Sequence, residues 1–422
     1  MSGRRARLQR FIFYTVGTLL QKGGQFLLLP LLIGSMSADE FARYGLFTAA
    51  NFILVPLLSL NVHMAGGRLF FDRNDQTGRA SLMISLLFWG MAFVVGGVLV
   101  LGAALWLVGP ADPLTLGQPL LIALLGASIA SAVVVQFYGL LFRLVDRPAL
   151  FATVSTMLGF GLLASYAAIS PAFDDKLVAA VVAYLATNLA TVVVASIAAR
   201  PYLKGGIWEV AAWRPAVSYG SGTMVQNVVT WVNGQSGRWI GTLTMPVAAL
   251  AGYTLMSYVA MAANLVAMVL FETMRIDIMK SHVDGAEDRS RRLIDRTVFV
   301  SFALVLLVYM AVFGLQRVQD GLLPPGYHID TGLVLAAAAF SLLQIVFLRA
   351  FWLATSHKRT KTLATVMVLA AIVTLFASWL LAREYGDLGL MVGAAVGALL
   401  QAVAGNLLMA RILRTGGGAK GS

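Results

Sequence analysis

Long apolar stretches follow one another along almost the whole chain, and that recurrence is what most limits its fold. A hydrocarbon layer about 30 Å thick is crossed by roughly 20 helical residues at about 1.5 Å each. Stretches of that length lie at roughly 11–34, 44–69, 81–108, 118–142, 149–170, 177–199, 217–242, 249–272, 297–316, 331–353, 362–382 and 388–411. In lipid, backbone N–H and C=O groups must be satisfied within the protein, which leaves helices for segments this long. The expectation is an all-α membrane protein of twelve transmembrane helices. The composition agrees: 12% of the 422 residues are charged, against about 25% in soluble domains.

The net charge of +12 raises nucleic acid as a partner. The placement of the basic residues argues against that. They punctuate the apolar runs and form no patch with interleaved aromatics. With the N-terminus inside, the inner segments hold 25 of the 31 Lys and Arg residues, from Arg4 through Arg143, Arg200, Arg292 and Arg359 to Lys420. The outer segments hold four: Arg43, Lys176, Arg317 and Arg383. The positive-inside rule therefore predicts that both termini are cytoplasmic. The run from Phe11 to Gly34 is too long for the apolar region of a signal peptide and reads as a retained first helix. Cysteine is absent, so disulfides and thiol chemistry are excluded. The four histidines, His63, His282, His328 and His357, show no metal-ligand spacing, and no metal or cofactor is expected.

The loops are short. The longest inner ones are read at about 200–216 and 273–296, and the longest outer one, Arg317 to Asp330, carries Pro324-Pro325-Gly326. None has the length to bury a core of its own, which weighs against a membrane-bound polymerase, glycosyltransferase or acyltransferase. Matching motifs suggest an internal repeat that divides the helices, the alternative being chance similarity among apolar helices. Tyr14-x-x-Gly17-Thr18-x-x-Gln21 recurs as Tyr219-x-x-Gly222-Thr223-x-x-Gln226, Gly45 as Gly252, and Ala152-Thr153-Val154 as Ala364-Thr365-Val366. Six helices per copy is an even number, so the halves, 1–205 and 206–422, face the same way as a parallel repeat.

Charge retained within the membrane is costly, roughly 2.5–3.5 kcal/mol on insertion scales, and so marks candidate functional positions. Lys22 lies near the middle of the first span, beside a polar face of Tyr14, Thr18, Gln21 and Gln25. Arg238 lies in the seventh, beside a stripe of Thr223, Asn227, Thr230, Gly234, Gly237 and Gly241, with Asn233 and Gln235 adding polarity. The functional reading is a pair of cations for an anionic group, Lys22 as a point charge and Arg238 as a fork. The alternatives are interhelical pairing for Lys22 and, for Arg238, about 7 Å from the outer end of its span, snorkelling to the interface. His63, Arg68 and Glu272 are candidates for gating or coupling. For His63 the plainer alternative is a structural histidine, for Arg68 an interfacial anchor, and for Glu272 an ion pair at the inner end of the eighth span. Asn51, Gln136, Asn188, Asn264, Gln344, Gln401 and Asn406 read as helix–helix glue.

Several of these segments also carry a resemblance. The opening Gly17-Thr18-Leu19-Leu20-Gln21-Lys22-Gly23, then Leu29-Pro30-Leu31-Leu32 and the stretch from Ser37 to Phe47, resemble the first two helices of polysaccharide transporters. These are the O-antigen and exopolysaccharide flippases of the multidrug/oligosaccharidyl-lipid/polysaccharide exporter superfamily. Leu60 through Arg68 to Phe71, and Ser236-Gly237-Arg238-Trp239-Ile240-Gly241 with Ala251-Gly252-Tyr253-Thr254-Leu255, are similar to later passages of that family. Two departures stand out. The family commonly has an acidic residue before the arginine, where this chain has Gly237, and a proline early in the seventh helix, which is missing here.

The resemblance implies two six-helix lobes with a central hydrophilic cavity. It implies a flippase in a bacterial inner membrane, moving an undecaprenyl-pyrophosphate-linked oligosaccharide from the cytoplasmic to the periplasmic leaflet by alternating access. Such transport serves lipopolysaccharide or exopolysaccharide biosynthesis, with glycosyltransferases and a polysaccharide polymerase as partners beside membrane lipids. Lys22, Arg238, Gln21, Gln25, Asn227, Thr230 and Asn233 would then line the cavity. The rival within the superfamily is a multidrug or cation antiporter, which normally uses a buried carboxylate.

Overall fold

A computed structural model describes residues 2–108, 119–316, 327, 329–357 and 360–416. The described residues are almost entirely helical and contain no strand. The helices are α1 (Ser2–Ser35), α2 (Ala38–Leu58), the short α3 (Gly66–Leu69), α4 (Gln76–Val108), α5 (Pro119–Leu144), α6 (Pro148–Ile169), α7 (Lys176–Leu203), α8 (Trp213–Thr242), α9 (Ala251–Val283), α10 (Glu287–Gln316), α11 (Thr331–Ser356) and α12 (Thr360–Gly416).

Ten segments among the described residues are long and apolar enough to cross a membrane, against the twelve read from the sequence. Two features account for the difference. The apolar segment Thr362–Leu413 counts once but is two crossing legs, because α12 is broken at Gly386 (φ 59°, ψ −132°). The second, α8, is rich in Ser, Thr, Asn, Gln and Gly, which dilutes its apolar character although its 30 residues are long enough to span.

The chain divides into two compact units. One comprises Met1–Met36 and Arg43–Val228, the other Ser37–Ala42 and Val229–Ser422. The division falls within α8, whereas the repeat places the boundary at 205/206.

In the first unit, α1 and α6 cross at glycines. A Cβ on Gly24 would lie 2.4 Å from the Gly159 carbonyl carbon, and one on Gly159 would lie 2.0 Å from the Leu20 carbonyl oxygen. Small residues at such a crossing let the backbones meet where lipid supplies no hydrophobic drive. Polar side chains add the glue that the sequence suggests: Ser128 donates to Asn51 Oδ1 at 3.0 Å and Asn188 donates to Ser131 Oγ at 3.3 Å.

The second span departs from the sequence reading. The apolar run from 44 to 69 suggests one helix, but α2 stops at Leu58, and Leu60 (φ 49°) and Asn61 (φ 53°) are left-handed. Asn tolerates that conformation and breaks the helix, while Leu60 alone gives no such warning. Two short 3₁₀ turns, Val62–Ala65 and Phe70–Asp72, flank α3 before α4 begins.

The second unit includes the short segment Ser37–Ala42 because Phe41 is fully buried there, its ring 6.1 Å from Tyr258 and 5.6 Å from Tyr327. Ser37 and Glu40 form a capping box on α2: each side chain accepts from the other residue's backbone N–H, at 2.8 and 3.3 Å. The loop expected at 273–296 is mostly helix. Only Asp284, Gly285 and Ala286 separate α9 from α10.

On α10, Ser290, Ile294, Thr297, Ser301, Val305 and Tyr309 are buried at helical spacing, while Phe299, Leu307 and Met310 are exposed on other faces, as suits a helix with one side to lipid. Within α12, Gly389, Gly393 and Gly397 lie four apart. A Cβ on each would come within 2.3 Å of Leu381, Ser378 or Thr374 on the preceding leg. The two legs therefore meet at backbone distance.

Candidate functional site

The polar half of α8 that belongs to the second unit carries Arg238, and its surroundings are more closed than its sequence position suggests. Its side chain is 1% exposed. One guanidinium nitrogen donates to Gln235 Oε1 and the other to Ser257 Oγ, both at 2.6 Å. The guanidinium carbon lies 4.6 Å from the centre of the Tyr258 ring, within cation–π range. Ser257 passes the chain on by donating to the Thr254 carbonyl at 2.8 Å. Arg238 is therefore neither snorkelled to an interface nor open to a ligand in this structure. It clamps α8 to α9.

Gly237 explains the missing acid. A Cβ there would lie 2.0 Å from Tyr253 Oη and 2.6 Å from its Cζ. Tyr253 is itself 3% exposed. The buried tyrosine of α9 fills the space in which a side chain at 237 would begin. One turn earlier, Asn233 is buried; its amide donates to the Val229 carbonyl at 3.0 Å, and its Oδ1 accepts from Thr374 at 3.1 Å. Asn233 joins α8 to α12 and is held as firmly as Arg238. Thr230 is exposed.

In the first unit, Gln21 is half-buried on α1 and Asn227 is half-buried on α8. Lys22 and Gln25 on α1, and Glu272 on α9, have side chains outside the described residues. His63 is 4% exposed just after the Leu60–Asn61 break, and its Nδ1 has no hydrogen-bond partner among the described residues. Arg68 is exposed on α3.

The break itself is braced by α8. Asn61 donates to Thr223 Oγ1 at 3.0 Å, and a Cβ on Gly220 would lie 2.4 Å from the Leu60 carbonyl oxygen. The two copies of the repeated motif are used differently. A Cβ on Gly17 would crowd Ala152 of α6 at 3.1 Å, whereas one on Gly222 would meet nothing within 4 Å.

Sequence reasoning missed the way the segment 204–212 is fastened. Ser81 and Ser85 of α4 accept from the backbone N–H groups of Ile207 and Glu209 at 3.0 and 2.8 Å, and Arg73 pairs with Glu209 at 2.7 Å. The signal was present only as two serines four apart in an apolar helix.

No protein-family model matches the chain, and no curated protein matches it by sequence. Solved structures match nearly its whole length. An inward-facing multidrug resistance MATE family transporter of the MOP superfamily aligns with a TM-score of 0.65 and 11% identity, covering 96% of both chains. A Vibrio cholerae MATE transporter aligns at 0.61 and 14%, covering 97% of both. The lipid II flippase MurJ in an inward closed conformation aligns at 0.63 and 10%, covering 96% of this chain and 87% of its own. The chain shares the fold of these transporters.

Proposed function

We propose that this protein is a flippase of the multidrug/oligosaccharidyl-lipid/polysaccharide exporter superfamily that carries a lipid-linked oligosaccharide across the bacterial inner membrane by alternating access. The observation that carries this reading is the character of the buried charge. Arg238 is enclosed in the second unit, and among the residues whose side chains are described, which do not include Glu272, no Asp or Glu is buried. A proton- or sodium-coupled antiporter needs a carboxylate that changes its charge or ligation within the membrane. A flippase for a pyrophosphate-linked glycan needs cations and hydrogen-bond donors instead. The sequence resemblance to polysaccharide transporters and the fold shared with a lipid II flippase support the same direction.

Within this reading Lys22 meets the anionic head group, with Gln21 and Gln25 beside it. Arg238 acts chiefly by holding α8 against α9, and it reaches a substrate only in a conformation that releases Gln235 or Ser257. Asn233 holds α8 to α12.

The fold is also that of multidrug resistance transporters, and this supports a second reading as a drug or cation antiporter. The two are separated in liposomes. A flippase exposes a labelled isoprenoid-pyrophosphate glycan to the opposite leaflet with its mass unchanged, and Lys22→Ala abolishes that exposure while the protein still inserts. An antiporter instead moves a cationic dye against a proton or sodium gradient and leaves the glycan lipid in place. Dye transport without glycan exposure overturns the proposal.

A further inference from the structure

The four histidines show no metal spacing in the sequence, yet the fold brings two of them together. His282 is in the last turn of α9, Glu287 opens α10, and His357 caps the C-terminus of α11. The rings of His282 and His357 lie 4.5 Å apart between centres. One ligand-capable atom from each of the three residues falls within 4.8 Å of the others. We propose that His282, Glu287 and His357 form a binding site for a divalent transition metal of the zinc class at the end of the second unit that carries the basic loops.

Each residue is held by local structure. α9 ends in a Schellman turn: Gly285 takes φ 75°, its N–H donates to the His282 carbonyl at 3.2 Å, and the Ala286 N–H donates to the Ser281 carbonyl at 2.9 Å. That turn sets His282 and Glu287 five positions apart across a fixed corner. Buried Ser290 donates to the Ile278 carbonyl at 3.2 Å and pins the first turns of α10 to α9. On α11, His357 Nδ1 lies 3.0 Å from the Leu353 carbonyl oxygen and 3.2 Å from Ser356 Oγ. A carbonyl can only accept, so Nδ1 donates there, and in the neutral imidazole Nε2 is the nitrogen that presents a lone pair. That Nε2 is buried, and among the described residues it has no hydrogen-bond partner. A histidine whose one nitrogen is tied to a backbone carbonyl while the other presents a lone pair is the arrangement found in metal ligands.

The donor set and the local field choose the ion. Two imidazoles and one carboxylate suit zinc and its neighbours, whereas magnesium and calcium want oxygen ligands throughout. Zinc bonds of about 2.0–2.2 Å require the ligand atoms to draw closer than they now stand, a movement within reach of side-chain torsions. Glu287 is held at present by a 3.7 Å contact with Arg291, between side chains 44% and 39% exposed, and such a pair gives way at little cost. Lys280, Arg289 and Arg292 nearby in sequence disfavour a cation. The C-terminal ends of α9 and α11 present partial negative charge and favour one. With three protein ligands, a fourth position stays open to water. Bound metal ties the ends of three helices together and so stiffens this end of the unit.

The test uses the purified full-length chain in detergent with its affinity tag removed. Zinc binding is followed by calorimetry, cobalt binding by visible absorption, and stability by thermal shift. The expected result is one zinc per chain, a cobalt spectrum of low-coordinate type, and a zinc-dependent rise in melting temperature. His357→Ala and His282→Ala should each weaken binding by about tenfold or more. Glu287→Gln, at a partly exposed position that leaves the fold undisturbed, should weaken binding and shrink the thermal shift. Zinc binding that is absent from the wild type, or unchanged in Glu287→Gln and in the double histidine variant, overturns the assignment.

Discussion

Two glycines on one helix should respond to the same substitution with opposite signs. Gly234 and Gly237 both lie within α8, and each would improve helix propensity by up to about 1 kcal/mol on becoming alanine. Around Gly234 a new Cβ meets nothing within 4 Å, so Gly234→Ala should keep that benefit. Around Gly237 it would lie 2.0 Å from Tyr253 Oη, 2.6 Å from Cζ and 3.3 Å from Cε1.

Ordinary contact begins near 3.4 Å, so the phenol must retreat by about 1.4 Å at its tip. Tyr253 is 3% exposed, and the Arg238 clamp lies beside it, so the ring has no open side to move into. Overpacking of this kind costs about 1–3 kcal/mol, which outweighs the propensity term. Set against the propensity gain and at about 1.4 kcal/mol per factor of ten, Gly237→Ala should shift the folding equilibrium a few-fold to about thirtyfold toward unfolding.

Reversible unfolding in mixed micelles measures both variants under one set of conditions. Tyr253→Ala in the Gly237→Ala background should relieve the clash, so that the alanine at 237 costs less there than in the wild type, a coupling that a double-mutant cycle reads directly. Equal effects at 234 and 237, or no coupling to residue 253, would refute the packing argument and the account of the missing acid that rests on it.

Two further predictions follow from the fold. Gly24→Val should abolish stable folding, because its Cβ would meet the Gly159 backbone at 2.4 Å and no side chain can yield there; protease resistance of the membrane-inserted chain checks it. The chain contains no cysteine, so single cysteines report topology directly. Asp284→Cys should be labelled from the cytoplasmic side and Leu243→Cys, 78% exposed beyond the end of α8, from the periplasmic side, and the reverse pattern would overturn the orientation taken from the charge count.

Much of the fold was legible because the bilayer imposes a length and a hydropathy on every crossing. The two legs of α12 could be read across the polar stretch Arg383-Glu384-Tyr385-Gly386-Asp387, where charge and glycine together mark a turn. The end of α2 was not legible, since Leu58 and Leu60 continue an apolar run and only the backbone reveals the left-handed corner. The segment at 273–296 looked like a loop because charge suits both loops and helices that extend into water.

The candidate site was legible only in part. Periodicity brought out the polar face of α8, but not that Gln235, Ser257 and Tyr258 enclose Arg238, because the register of α8 against α9 is a tertiary fact. The same holds for His282 and His357, which lie on different helices and meet only once α9, α10 and α11 have packed.

The glycine ladder of α12 bears on assembly as well as packing. Gly389, Gly393 and Gly397 leave a groove that the backbone at Leu381 and Ser378 and the side chain of Thr374 enter, and lipid tails cannot match that fit. The last leg thus carries an address for the leg before it. If the chain were severed at the Gly386 turn and the two pieces were made in one cell, the short piece would find its place by recognition, and the covalent link would prove to be a convenience of synthesis.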